Sequence, residues 1–316
     1  MTEQIKQRQP LIELKDVTKT YHDGKRKDVF AVSNFNLTLY EGETLGLVGE
    51  SGCGKSTVGN MLVHLLTPDE GSILFRGQDI TSMNERQFHP LRKEIQMVFQ
   101  DPFSSLNPRL SVRASVAEPL AARDMPRAER RRLADEMLAT VGLEGMGGRY
   151  PHEFSGGQRQ RIAVARALIT RPDVVICDEP VSALDASVQA QVLNLLCDAQ
   201  ERFSPSYLFI SHDLAVVGFI CPRILVMYLG QVVEEAPRER LFAGAAHPYS
   251  QALLAAMPTG DGESRLPRIL EGELPSPLNP PAGCRFHPRC PKAVDICRRE
   301  PPAWKELTPG WRARCH

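Results

Sequence analysis

The stretch GESGCGKST, residues 49–57, decides the reading of the fold. It satisfies G-x-x-x-x-G-K-[ST] through Gly49, Gly54, Lys55 and Ser56, follows the strand-like TLGLVG (44–49) and opens the helix-like KSTVGNMLVHLL (55–66). A strand that feeds a glycine-rich loop and then a helix turns backbone N–H groups toward an anion. The loop from Gly49 through Ser51, Gly52, Cys53 and Gly54 to Thr57 therefore reads as a phosphate cradle. Lys55 neutralises the β and γ charges of a nucleoside triphosphate, and the Ser56 hydroxyl is a ligand for Mg²⁺.

Outward from this loop, strand-like and helix-like patterns alternate through residues 11–240, the pattern of an α/β domain on a largely parallel sheet. VVIC (174–177) and YLFIS (207–211) read as further buried strands, short and rich in branched apolar residues. A charged, helix-rich segment at about 103–170 lies between the first two strands. Its run RAERRR (127–132) suits either anionic lipid or, more simply, a solvated helix face.

The strands end on polar residues. VVICDEP sets Asp178 and Glu179 after a buried strand, where two carboxylates need a cation or a task. Asp178 suits Mg²⁺ and Glu179 suits a general base that polarises the attacking water, although an acidic pair before proline is also an ordinary turn. FISHDL ends at His212, a candidate γ-phosphate contact at the carboxyl end of a strand. QMVFQDP ends at Gln100, which suits Mg²⁺ and water but also reads as a plain surface amide.

A second cradle lies in EFSGGQRQR (153–161). Ser155 and Gln158 form an S-x-x-Q capping box, and Gly156 and Gly157 leave the first helical N–H groups uncovered by side chains. The simple reading is a well-capped helix; the sharper one is a γ-phosphate held by those N–H groups. One nucleotide hardly needs both cradles from one chain, and there is no internal repeat.

Composition narrows the class. The 316 residues and 42% apolar content support a substantial core. Lysine plus arginine and aspartate plus glutamate each number 38, so no basic field suits nucleic acid. The polar N-terminus MTEQIKQRQP lacks the core of a secretory signal, and Pro222 and Arg223 interrupt the most apolar window. Eight cysteines then argue for reduced thiols; Cys53, Cys177, Cys197 and Cys221 read as small buried hydrophobes. Proline- and glycine-rich sequence at 258–283 reads as a linker, and Cys284, Cys290, Cys297 and Cys315 crowd the segment 284–316 beyond it.

As a set these residues resemble the ATPase subunits of ABC transporters, from about residue 11 through nearly the whole chain. The resemblance implies an ABC ATPase domain over 11–257: a P-loop α/β fold with a parallel-sheet, RecA-like core, an antiparallel β subdomain and a helical insert, followed by a small Cys-rich extension. It also implies Gln100 as Q-loop, FSGGQ as signature with Phe154 where leucine is commoner, Asp185 in SALD as D-loop, His212 as switch histidine and Tyr21 stacked on adenine. In that family two subunits face head to tail, so Ser155, Gly156, Gly157 and Gln158 would close on the partner's ATP.

DPFSSLNPR (101–109), HPYSQALL (247–254) and GELPSPLNPPAGCRFHPRCP (272–291) resemble the oligopeptide, dipeptide and nickel importer branch. That implies peptide cargo, a second ATPase subunit in a heterodimer, two transmembrane permease subunits, an extracytoplasmic substrate-binding protein and a place on the cytoplasmic face of the membrane. Nickel chelates, opines or cell-wall peptides are alternative cargoes; a soluble, non-transport ABC ATPase is the alternative class. Similar four-cysteine tails in this branch imply a 4Fe-4S cluster on Cys284, Cys290, Cys297 and Cys315. Zn²⁺ is the alternative, with His287 and His316 as substitute ligands; spacings of five, six and seventeen residues match neither common zinc pairs nor ferredoxin runs.

Overall fold

The computed structural model describes residues 9–22, 28–122, 125–257 and 273–316. The linker expected at 258–283 thus lies outside the described residues as far as 272. In chain order the strands are β1 (Pro10–His22), β2 (Asp28–Tyr40), β3 (Thr44–Val48), β4 (Glu70–Phe75), β5 (Gln78–Asp79), β6 (Ile95–Val98), β7 (Val174–Asp178), β8 (Ser206–Ser211), β9 (Arg223–Tyr228), β10 (Gln231–Pro237), β11 (Trp304–Thr308) and β12 (Trp311–Arg314).

The chain forms two compact units. Of the described residues, the first comprises 9–22, 28–40, 44–82, 210–257 and 273–316; the second comprises 41–43, 83–122 and 125–209. In the first, β2, β1, β4 and β5 lie side by side in an antiparallel sheet, with Ile12 opposite both Leu39 and Phe75. Another set runs in the order β11, β12, β10, β9, β3. Here β3 and β9 are parallel, while β9, β10, β12 and β11 pair antiparallel. Every residue of β3 and β9 is buried, as continuous apolar runs covered on both faces require.

The second unit orders β8, β7 and β6, with β6 and β7 parallel from Ile95 opposite Val174 to Val98 opposite Cys177. Its helices include Val112–Ala117, Arg127–Thr140, Gly156–Leu168 and Ala186–Phe203. The arginine run 127–132 opens the second of these. Arg132 pairs with Glu129 at 2.5 Å and with Glu136, so the charges brace an exposed helix. The window around Pro222 divides into the helix Leu214–Ile220 and β9. Among the described residues no helix is long and apolar enough to cross a membrane.

The separate Cys-rich extension expected at 284–316 is not what forms. Residues 273–316 belong to the first unit, and β12 pairs with β10, Glu234 opposite Ala313 and Glu235 opposite Arg312. The reason is packing. Phe286, 1% exposed, meets Tyr228 edge-on at 5.1 Å and lies 5.5 Å from the Tyr249 ring. Trp311 Nε1 donates to the buried Glu234 carboxylate at 2.8 Å.

His247 ties this aromatic cluster to the helix Pro248–Ala255. Its N–H donates to Glu234 Oε2 at 2.9 Å, its Nδ1 accepts the Tyr249 N–H at 3.1 Å, and its ring lies 5.6 Å from Phe286. Burial pushes the imidazole down from 6.5 to about 4. The folded state therefore holds the neutral ring, and its stabilising contribution is present above pH 6.5 and lost as pH falls toward 4. Urea unfolding should show about 2 kcal/mol less stability from this group at pH 5 than at pH 7. His247→Asn, which keeps an acceptor but does not titrate, should flatten that part of the pH profile; an unchanged profile contradicts the assignment.

Candidate nucleotide site

The phosphate loop leaves β3 at Val48 and enters the helix Lys55–Leu62. Gly54 caps that helix at φ 105°, a left-handed conformation, and a Cβ there would stand 2.1 Å from the Ala31 carbonyl oxygen. No side chain caps this helix start, so its first N–H groups remain available to an anion. Lys55 is buried, and its Nζ donates to the Gly49 carbonyl at 2.8 Å and the Glu50 carbonyl at 3.0 Å. The ammonium is thereby fixed across the loop.

Cys53 behaves as the small buried hydrophobe expected, its thiol pushed up by burial against the opposing pull of Lys55. Ser56 is exposed beside it. The half-exposed Tyr21 reaches Thr57, hydroxyl to hydroxyl at 3.4 Å. His212 follows β8 and is exposed, immediately before Asp213, which caps the helix Leu214–Ile220 through the N–H groups of Ala215 and Val216.

In the second unit Asp178 ends β7 and Glu179 follows it, 6% and 8% exposed. Glu179 adopts φ 46°, which for a residue with a side chain costs about 1–3 kcal/mol and is held only by its surroundings. Gln100 Nε2 donates to Glu179 Oε2 at 3.1 Å, so the sequence-distant amide and carboxylate meet. Nothing in VVICDEP signals that backbone strain.

The Ser155–Gln158 capping box forms in both directions: Ser155 N–H donates to Gln158 Oε1 at 3.0 Å, and Gln158 N–H to Ser155 Oγ at 3.4 Å. The two glycines beside it differ. A Cβ on Gly157 would lie 2.1 Å from Val188 Cγ1, so this glycine serves packing against the helix Ala186–Phe203. A Cβ on Gly156 would make only ordinary contact with Leu184 at 3.7 Å. Asp185 caps the helix Ala186–Phe203, accepting the Val188 N–H at 3.1 Å and the Ser187 hydroxyl at 3.0 Å.

The metal site expected at Cys284, Cys290, Cys297 and Cys315 is not found. Among the described residues no group of three or more His, Cys, Asp or Glu stands ready to hold a metal ion, and all eight cysteines are free thiols. Burial, with the neighbouring cysteines adding to it, pushes the Cys284, Cys290 and Cys315 thiols up. Both histidines offered as substitutes bond to carbonyls instead, His287 Nδ1 with Cys284 O and His316 Nε2 with Glu300 O, each at 2.9 Å. The segment is anchored by Phe286, by β12 and by Arg289, whose guanidinium grips Glu50 of the phosphate loop. Neither Arg289 nor Glu50 stands out in the sequence: one occupies a freely varying position of G-x-x-x-x-G-K and the other lies 239 residues away.

The glycine asymmetry yields a stability test. Gly157→Ala should destabilise the chain by about 1–3 kcal/mol through overpacking, while Gly156→Ala unfolds at the wild-type urea midpoint or above. Equal losses for both contradict the packing distinction.

The family described as ABC transporter matches residues 32–182, and the one described as oligopeptide/dipeptide transporter, C-terminal region, matches 233–297. The chain is 50% identical over 318 aligned positions to the oligopeptide transport ATP-binding protein AppF of Bacillus subtilis, covering 97% of each chain. It is 51% identical to the probable peptide ABC transporter ATP-binding protein y4tS of Sinorhizobium fredii, over 91% of this chain and 82% of the relative. Among solved structures, a dimeric post-hydrolysis state of the ATP-binding cassette MJ0796 bound to ADP and Pi is similar at a TM-score of 0.66 and 33% identity, covering 72% of this chain and 99% of the other. With its phosphate loop, its capped GGQ helix and a peptide-transporter C-terminal region in one polypeptide, the chain belongs to the ATP-binding proteins of ABC transporters.

Proposed function

We propose that this chain is the ATP-hydrolysing subunit of an importer that takes up dipeptides and oligopeptides. The observation that carries the reading is the phosphate loop, with Gly54 in a left-handed turn, an uncapped helix start behind it and Lys55 fixed across its carbonyls. The peptide cargo is supported by the likeness to AppF and y4tS and by the C-terminal family match.

In this reading Gly49 to Thr57 wrap the triphosphate, Tyr21 stacks on the adenine and His212 contacts the γ-phosphate. Ser56, Gln100 and Asp178 supply the hard oxygen donors that suit Mg²⁺, which when bound neutralises charge on the phosphates. Glu179 takes a proton from the attacking water as that water adds in line to the γ-phosphorus and the bond to the ADP oxygen breaks. Its hydrogen bond to Gln100 orients the carboxylate and couples it to the segment that follows, which the reading sets against a permease.

Gly156 carries the argument for two chains. It has room for a side chain, so its being glycine serves something outside the chain: the close approach of a phosphate held by a second subunit. Ser155, Gly157 and Gln158 shape that helix start, and Asp185 stands at the start of the helix behind it. The assembly is then a pair of ATP-binding subunits, this one with a different second subunit, beneath two permeases on the cytoplasmic face, served by an external binding protein. The boundaries 11–257 for the ATPase domain and about 103–170 for its helical insert belong to the same reading.

Glu179→Gln should lower ATP hydrolysis by a factor of about 10²–10⁴, the usual contribution of a general base, while ATP stays bound and holds the paired state on size-exclusion chromatography. Undiminished phosphate release by that variant removes Glu179 from the mechanism. Co-purification of integral membrane subunits with the tagged chain supports transport; a consistently soluble partner set supports a non-transport ATPase instead.

A further inference from the structure

Every polar group of Glu50, the residue after Gly49, is committed. Its N–H donates to the Tyr249 hydroxyl at 2.9 Å, and its carbonyl accepts Lys55 Nζ at 3.0 Å and the Cys53 N–H at 3.3 Å. Its carboxylate takes both arms of Arg289, Nη1 to Oε2 at 2.8 Å and Nη2 to Oε1 at 3.1 Å. Such a fork-to-fork pair fixes direction as well as charge. The Arg289 side chain is 6% exposed, and its guanidinium lies 5.9 Å over the Tyr228 ring.

Two of these anchors come from the C-terminal part of the chain. Tyr249 opens the helix Pro248–Ala255, and Arg289 belongs to the turn His287–Arg289 beside Phe286. Tyr228, Tyr249 and Phe286 pack against one another with centroids 4.7 to 5.5 Å apart. The brace under the loop is therefore rigid rather than a surface ion pair of little consequence.

A carboxylate within an anion cradle opposes the anion unless a cation answers it. Arg289 answers it, and through the same residue it steadies the carbonyl on which Lys55 rests. We infer that Arg289 is a positioning residue for the nucleotide: by neutralising and orienting Glu50 it sets the phosphate loop, so that the C-terminal segment controls ATP affinity. The inference rests on the reading of this loop as the ATP site.

The test is titration of the full-length chain with a fluorescent methylanthraniloyl-ATP, alongside thermal melts. Arg289→Ala should weaken binding about tenfold, because it leaves Glu50 charged and unheld. Adding Glu50→Gln to Arg289→Ala should restore binding to within about threefold of wild type, since the repulsive charge is then gone. A merely structural role gives no such rescue. If Arg289→Ala does not fold, Arg289→Lys, which keeps charge but loses the fork, is expected to bind about threefold more weakly. Wild-type affinity in a folded Arg289→Ala or Arg289→Lys chain overturns the inference, as does a double variant no tighter than Arg289→Ala. Wild-type protein that binds no nucleotide overturns the ATP reading itself, and the inference with it.

Discussion

The structure turns on one backbone problem: how to aim several N–H groups and one ammonium at a dense negative charge without letting the loop collapse on itself. Gly54 solves the first half, because only glycine adopts φ 105° against the Ala31 carbonyl without a clash. Lys55 solves the second, since its ammonium is tied to two loop carbonyls rather than left to wander. The buried strand β3 supplies a fixed platform on one side of the loop and the helix Lys55–Leu62 on the other.

The second cradle follows another logic. At Gly157 the absence of a side chain is demanded from within, by Val188; at Gly156 the chain makes no such demand. In the proposed reading, a glycine that internal packing leaves unexplained, at a helix start whose capping box is complete, serves a phosphate held by a second chain, which ties the need for a partner to particular atoms.

Much of this was legible in the sequence because it depends on local pattern. The buried strands at 44–48, 174–178 and 206–211, the uncapped start at Lys55 and the reciprocal bonds of Ser155 and Gln158 all follow from neighbours a few residues apart. What escaped depends on distance in the chain or on backbone strain. The Arg289–Glu50 fork joins residues 239 apart, and the left-handed Glu179 has no signature of its own. The cysteine tail misled for a related reason. Its four cysteines, like those of similar tails in the importer branch, suggested a metal site, yet Phe286 and the β12–β10 pairing dock it by ordinary packing.

In the proposed assembly the phosphate loop and the GGQ helix start of one chain serve different nucleotides. The most direct measurement is the ATP hydrolysis rate per chain across a wide range of protein concentration, alone and with an equimolar second ATP-binding subunit, for wild type and Ser155→Ala. The per-chain rate should climb with concentration until pairing saturates, and Ser155→Ala should suppress it. A rate flat from the most dilute sample upward and indifferent to Ser155 would contradict that assembly.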